Sequence, residues 1–228
     1  MTWIEERLTA YDHVCRVYDA YLERLGLFCK KGCDTCCTVN VTVTSLEAFR
    51  MAEYLQGQER TDLIAAVRSA VNGKRFHPGL TLNAIADICN QGKEPPEEVM
   101  DPSWGQCPLL KDQICSIYEV RPFSCRCMVS TSDCRNEGYA RTDEFTVTVN
   151  NVMMQYIEHI DQTGFTGNML DMILYMEEQN IRNTYSAGEQ LPPPARGVAN
   201  KPVSVLLASP RDRQHLSPIL QRLNKQER

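Results

Sequence analysis

The 228-residue sequence has no stretch of about 18 apolar residues, the length that a membrane-spanning helix needs. Its first residues, MTWIEERLTAYDH, contain acidic side chains and lack the apolar run of a signal peptide. The formal net charge is -5, whereas general binders of nucleic acid or anionic membranes are basic. We therefore expect a soluble, cytoplasmic protein that binds neither nucleic acid nor a membrane.

The sequence also lacks the motifs of several enzyme classes. It contains no glycine-rich phosphate loop, no nucleophile elbow and no zinc-binding helix with paired histidines. The spacing of Cys29, Cys33 and Cys36 imitates that of radical S-adenosylmethionine enzymes, but the βα units of a barrel do not follow. Histidine is scarce and forms no ligand pair: His13, His77, His159 and His215. No catalytic residue can be assigned, and whether the protein is an enzyme is left open.

Cysteine, in contrast, is abundant and unevenly distributed. Nine of the eleven cysteines lie in two blocks, the first within FCKKGCDTCC and the second between residues 107 and 134. We predict these nine as metal ligands: Cys29, Cys33, Cys36, Cys37, Cys107, Cys115, Cys125, Cys127 and Cys134. Cys15 and Cys89 stand apart from the blocks, and we assign both to the core because free cysteine is commonly buried.

Crowded thiolates repel one another unless a cation or a covalent bond relieves them. In a reducing compartment, clustered cysteines are more often metal ligands or redox groups than disulfides, and an odd number fits a disulfide framework poorly. Neighbouring side chains usually diverge, so Cys36 and Cys37 should rarely bind the same ion. We therefore expect one site that draws on both blocks, for example Cys33 and either Cys36 or Cys37, with Cys115 and Cys125.

Basic residues are interleaved with the cysteines of this acidic chain: Lys30, Lys31, Arg121, Arg126 and Arg135. Cations stabilise the thiolate form, so Arg121 and Arg126, which lie inside the second block, are predicted to support a bound cofactor. Sulfur-rich ligand sets suit zinc and iron–sulfur clusters alike. The uneven spacing and the surplus over four sulfurs favour an iron–sulfur cluster, of the 4Fe-4S type, with zinc as the alternative.

The periodicity of apolar residues predicts a mainly α protein with a small β hairpin, in which the metal centre is packed among helices. Helices are expected at 3–25, 45–56, 59–72, 80–90, 150–162 and 168–185. The first should end at Gly26, and a capping box formed by Thr44 and Glu47 should open the second. A short strand is plausible at 39–43, and residues 142–149 could be strand or helix.

The hairpin is expected around Lys111-Asp112-Gln113, with Cys107 before it and Cys115 on its return strand. Pro122 should then start a one-turn helix or loop that presents Cys125. We predict a single metal-binding domain over residues 1–187, with the cysteine motifs within 28–134 and a helical part at 142–187. Residues 188–228, which begin with a proline-rich stretch, are predicted to be a linker and a loosely attached tail.

The two cysteine blocks resemble the CxxCxxCC family of zinc- or iron-chelating proteins, a domain also found in flagellin lysine N-methylases. The resemblance rests on the first block and on CPLLKDQICSIYEVRPFSCR, residues 107–126. Three residues separate Cys29 from Cys33 where the family pattern has two, which is a departure from that pattern. The resemblance implies a cysteine-ligated metal centre in a bacterial cytosolic protein, and protein lysine methylation in some members.

Three functions follow as hypotheses. The first is a metal-chelating protein with an iron–sulfur cluster and a redox role, which would need a redox partner. The second is a cluster-containing enzyme similar to protein lysine N-methylases, which would act on a protein substrate. The third is a structural zinc module with a role in protein interaction.

Overall fold

The computed structural model describes residues 1–225, which form ten α-helices and five short strands. The helices are α1 (Trp3–Leu22), α2 (Ser45–Gly57), α3 (Thr61–Ala70), α4 (Leu82–Asn90), α5 (Phe123–Arg126), α6 (Cys134–Glu137), α7 (Glu144–Ile160), α8 (Met169–Glu177), α9 (Gln179–Ser186) and α10 (Arg213–Leu223). The strands are β1 (Thr42–Thr44), β2 (Leu110–Lys111), β3 (Ile114–Cys115), β4 (Phe165–Asn168) and β5 (Gly197–Ala199). The predicted mainly α fold with a small hairpin is confirmed.

The core lies between two helix pairs. Helix α2 packs against α8, and α1 packs against α7, while α3 covers α8 and α4 covers α7. Side chains of these helices that are fully buried include Tyr18, Leu46, Met51, Leu55 and Met153. No helix within residues 1–225 is both long and apolar enough to cross a membrane.

Two small antiparallel sheets accompany the helices. In the first sheet, β4 lies between β1 and β5, with Val43 opposite Gly167 and Phe165 opposite Ala199. The second is the predicted hairpin, in which β2 pairs with β3. The sequence indicated only the hairpin and one plausible strand, because β4 and β5 are short and find their partners far along the chain.

Local signals account for the starts of the main helices. The side chain of Thr44 accepts a hydrogen bond from the backbone N–H of Glu47, and the carboxylate of Glu47 accepts one from the backbone N–H of Thr44. The predicted capping box of α2 is therefore confirmed. Thr2 and Glu5 form a second capping box at the start of α1. Helix α1 ends at Leu22 and is capped by Glu23, so the predicted end at Gly26 is wrong.

The C-terminal helices differ in detail from their predictions. Asp143 caps α7 by accepting from the backbone of Thr146, which makes residues 144–149 helical rather than a strand. The single helix predicted at 168–185 is two helices, because Glu178 adopts an extended conformation between α8 and α9.

The segment predicted as a linker and loosely attached tail is attached more firmly than expected. Strand β5 pairs with β4, and α10 packs against α1 through the buried side chains Leu216, Ile219 and Leu223. Apolar residues at a spacing of three and four give α10 an amphipathic face, and α1 offers a surface that covers it. Residues 226–228 lie outside the described residues, and the predicted domain limits stay a prediction.

Candidate metal centre

Backbone hydrogen bonds join the two cysteine blocks. The N–H of Cys107 donates to the carbonyl of Cys37 at 3.0 Å, and Thr38 forms an isolated antiparallel bridge with Gln106. The N–H of Val39 donates to Gly105 at 3.1 Å, which extends the pairing by one step. Segments about 70 residues apart therefore run side by side, as expected for a site that draws on both blocks.

Three elements hold the one-turn helix α5, which carries Cys125. Its first residue, Phe123, is buried against Tyr18 of α1 with the rings edge to face at 4.8 Å. The N–H of Phe123 donates to the buried carboxylate of Glu47 in α2 at 2.7 Å. The hydroxyl of Ser124 donates to the carbonyl of Thr42 in β1 at 2.7 Å. The position of Cys125 is thus set by contacts with α1, α2 and β1.

Five cysteines, which we call the inner group, lie close enough that the ionisation of one disfavours that of its neighbours: Cys36, Cys37, Cys107, Cys115 and Cys125. Burial raises the pKa of Cys107 to about 11. Burial also raises the pKa of Cys125 well above its usual value, and the charges of neighbouring thiols raise it further. As free thiols these groups are held neutral, and a bound cation would reverse that preference.

Cys36 and Cys37 are in direct contact, although adjacent side chains were expected to diverge. A hydrogen bond donated by the Cys37 thiol lowers the pKa of Cys36 to about 7, and the same bond raises the pKa of Cys37. The backbone turns tightly here, since the N–H of Cys37 donates to Asp34 at 2.9 Å. Cys36 is therefore the member of the inner group in which the thiolate is most favoured.

The two arginines predicted to support a cofactor face different neighbours. Arg121 stacks on the ring of Tyr118 at 4.1 Å and favours the thiolates of Cys36 and Cys115. Its buried Nε has no hydrogen-bond partner among the described residues. Arg126 turns towards α1, where its guanidinium lies 3.8 Å from the carboxylate of Asp19. Of the two, Arg121 is the cation at the inner group.

The other predicted ligands lie around the inner group. Cys29, Cys33 and Cys134 are half-buried, and burial, followed by the charges of Cys33, Cys134 and Cys36, raises the pKa of Cys29. Cys127 is buried in the hydrophobic core, where burial raises its pKa to about 12 and the charge of Glu47 adds to the effect. The example ligand set, which combined Cys33 with Cys125, stays a prediction.

The two isolated cysteines have different outcomes. Cys15 is buried on α1, which confirms its assignment to the core. Cys89 is exposed near the end of α4, so its assignment to the core is wrong.

The donor set fits a thiophilic metal. The inner group combines five thiols and an arginine whose buried Nε has no partner, and zinc and iron both accept sulfur-only ligand sets. Among residues 1–225, no three His, Cys, Asp or Glu side chains already stand in the geometry of a metal site. Burial holds the thiols of Cys107, Cys115 and Cys125 neutral, so metal binding would draw these sulfurs together as it removes their protons.

Comparison with known proteins identifies the family. A family model named CxxCxxCC, with the description "Putative zinc- or iron-chelating domain", matches residues 28–151, which is more than half of the chain. The chain belongs to the CxxCxxCC family. The match covers both cysteine blocks and reaches into α7, so the expected resemblance is confirmed. Comparisons with curated proteins and with solved structures found no match.

In this member of the CxxCxxCC family, residues that are not cysteines support the site. Sequence reasoning identified Glu47 only as part of a capping box, whereas it also holds the backbone of α5 through Phe123. The carbonyl of Cys127 likewise accepts a hydrogen bond from Asn150 of α7 at 3.1 Å, and Asn150 accepts from Tyr18 of α1. No local pattern signals these contacts, because they join residues distant in sequence.

Proposed function

We propose that the inner group holds an iron–sulfur cluster and that the protein has a redox role. The observation that carries the proposal is the gathering of five thiols from four segments, two loops, β3 and α5, which exceeds the four that one zinc ion takes. Cys37, Cys107, Cys115 and Cys125 would hold the cluster, with Cys36 as the alternative to Cys37. A cluster supplies one-electron transfer when bound.

The residues around the inner group suit that role. Burial limits the access of water to Cys107 and Cys125, and the stack of Arg121 on Tyr118 keeps a cation beside the sulfurs. Lys31 lies over the same ring at 5.6 Å and adds a second positive charge. Positive charge and burial both offset the negative charge that four thiolates contribute.

A structural zinc ion in the inner group is the second candidate. It is favoured by the position of the group, which cross-links two chain segments about 70 residues apart through Cys37 and Cys107. Structural zinc sites contribute folding free energy in this way. Protein lysine methylation, with a protein substrate, stays an expectation from the resemblance.

Metal analysis of protein purified without oxygen separates these candidates. We expect brown protein that contains iron and acid-labile sulfide in similar amounts and that bleaches reversibly with dithionite. Cys125→Ser should lose the iron, whereas Cys89→Ser, which changes an exposed cysteine outside both blocks, is the matched control and should keep it. A colourless protein with one zinc per chain would refute the cluster and support structural zinc.

A further inference from the structure

A cavity of about 200 Å³ lies between β1, α4, α5 and α7, and no cysteine of residues 1–225 lines it. Nine apolar side chains line it, among them Phe76, Ile85, Phe123 and Met154. Ile85 and Met154 are only half-buried, so the cavity is open to solvent. An engineered cavity of about 150 Å³ with a similar apolar lining binds benzene, so this one has room for a single aromatic ring.

The ionisable groups that line the cavity are all acidic. They are the carboxyl groups of Glu47, Glu98 and Glu158, and no Lys, Arg or His among the described residues joins them in the lining. The charge of Lys201 acts on Glu158 from outside the lining. An apolar cavity with carboxylates in its wall favours a ligand that is apolar over most of its surface and positively charged at one end.

Hydrogen bonds to the backbone hold two of these carboxylates in place. Glu158 is buried, and its carboxylate accepts from the N–H groups of Asn83 and Lys201, both at 2.8 Å. Glu98 is exposed, and its carboxylate accepts from the N–H of Gly79 at 2.5 Å. Burial raises the pKa of Glu158, so a cation brought into the cavity would favour its charged form. The cavity therefore offers a positive group one shielded and one solvent-exposed carboxylate.

We propose that this cavity binds a small organic cation, a molecule with one apolar ring and one ammonium group. The ring would contact Phe76, Ile85 and Met154, and the ammonium group would face the carboxylates of Glu98 and Glu158. This binding site goes beyond the proposed redox role. It uses no cysteine, so it does not depend on whether the metal centre holds iron or zinc.

Three ligands that share one ring and differ in charge test the proposal: benzylammonium, benzyl alcohol and benzoate. Isothermal titration calorimetry on the whole protein, purified with its metal, gives the dissociation constant of each. We expect benzylammonium to bind about fivefold or more tightly than benzyl alcohol, because a contact between opposite charges adds to the apolar contacts, and benzoate to bind most weakly. Equal binding of benzylammonium and benzyl alcohol, or no binding of benzylammonium at millimolar concentration, would overturn the proposal.

Substitutions in the lining locate the binding site. Glu98→Gln removes one charge, and its amide oxygen can still accept from Gly79, so the fold should be kept. This variant should bind benzylammonium about fivefold more weakly and benzyl alcohol unchanged. Glu97→Gln, which changes an exposed neighbour outside the lining, is the matched control and should alter neither.

Ile85→Trp fills the cavity and should abolish the binding of both ligands. Equal weakening of benzylammonium by the Glu98 and Glu97 variants, or binding that survives Ile85→Trp, would show that the ligand does not occupy the cavity. Metal analysis of the same samples is a separate readout, because zinc in place of iron would contradict only the proposed cluster.

Discussion

Replacement of Glu47 tests how the helical core positions the candidate metal centre. Its carboxylate is fully buried and accepts hydrogen bonds from the backbone N–H groups of Thr44 and Phe123, at 3.0 Å and 2.7 Å. It also lies 3.4 Å from the hydroxyl of Tyr11. One side chain therefore links α1, the start of α2 and the start of α5, which carries Cys125.

The expected cost follows from the donors that lose their acceptor. Glu47→Ala leaves the N–H groups of Thr44 and Phe123 without an acceptor. Each buried unsatisfied donor costs roughly 1–3 kcal/mol. Loss of the carboxylate offsets part of this, because burial raises its pKa and so disfavours the charged form. We expect the free energy of unfolding to fall by about 3 kcal/mol, a large share of a typical total of roughly 5–15 kcal/mol.

Glu47→Gln is the matched control. Its amide oxygen can still accept from Phe123, and glutamine is compatible with a capping box. The N–H of Phe123 keeps a neutral acceptor and only the N–H of Thr44 loses its acceptor, so we expect a smaller loss of about 1 kcal/mol. Comparison of the two variants separates the hydrogen bond to α5 from the negative charge.

Two assays follow the effect. Urea unfolding in reductant gives the free energy of unfolding for the wild type and both variants. Iodoacetamide labelling reports the accessibility of Cys125, which should rise in Glu47→Ala because α5 has lost its contact with α2. Equal unfolding free energies for the alanine and glutamine variants, or unchanged labelling of Cys125, would refute the assigned role of Glu47.

Two further predictions concern pH and metal removal. Burial raises the pKa of Asp161 to about 7. The stabilisation linked to the protonated Asp161 side chain is therefore complete at pH values below its unfolded pKa of 3.8 and is lost as the pH rises through 7. Urea unfolding from pH 4 to pH 8 should show the wild type losing up to about 4 kcal/mol relative to Asp161→Asn, and parallel profiles would contradict this. Removal of the metal should abolish hydrogen-exchange protection in residues 28–38 and 105–134. Protection should persist in α2, because α2 packs on α8. Protection retained in both cysteine-bearing segments would show that the metal does not organise them.

The elements that the sequence predicted well depend on near neighbours. Thr44 and Glu47 satisfy each other across one helical turn, so the start of α2 was predictable. The hairpin around Asp112 and Gln113 was likewise predictable, because its strands are joined by two residues. The cysteine spacing also sufficed to indicate the CxxCxxCC family, which the family match confirms.

Packing between distant segments determined the features that the sequence did not predict. Spacing in the sequence could not place Cys29 beside Ser130, because the hydrogen bonds between residues 28–29 and residue 130 join segments about 100 residues apart. The exposure of Cys89 and the packing of α10 on α1 likewise depend on which surfaces the other helices leave open.

The sequence by itself determined that the protein is mainly helical and carries cysteines suited to zinc or iron. Only the tertiary structure brought the inner group together beside Arg121 and buried Cys127 in the core. The physical reason is that residue spacing limits only what one loop can present. The burial and charge around each sulfur depend on the helices and loops that the fold brings against it.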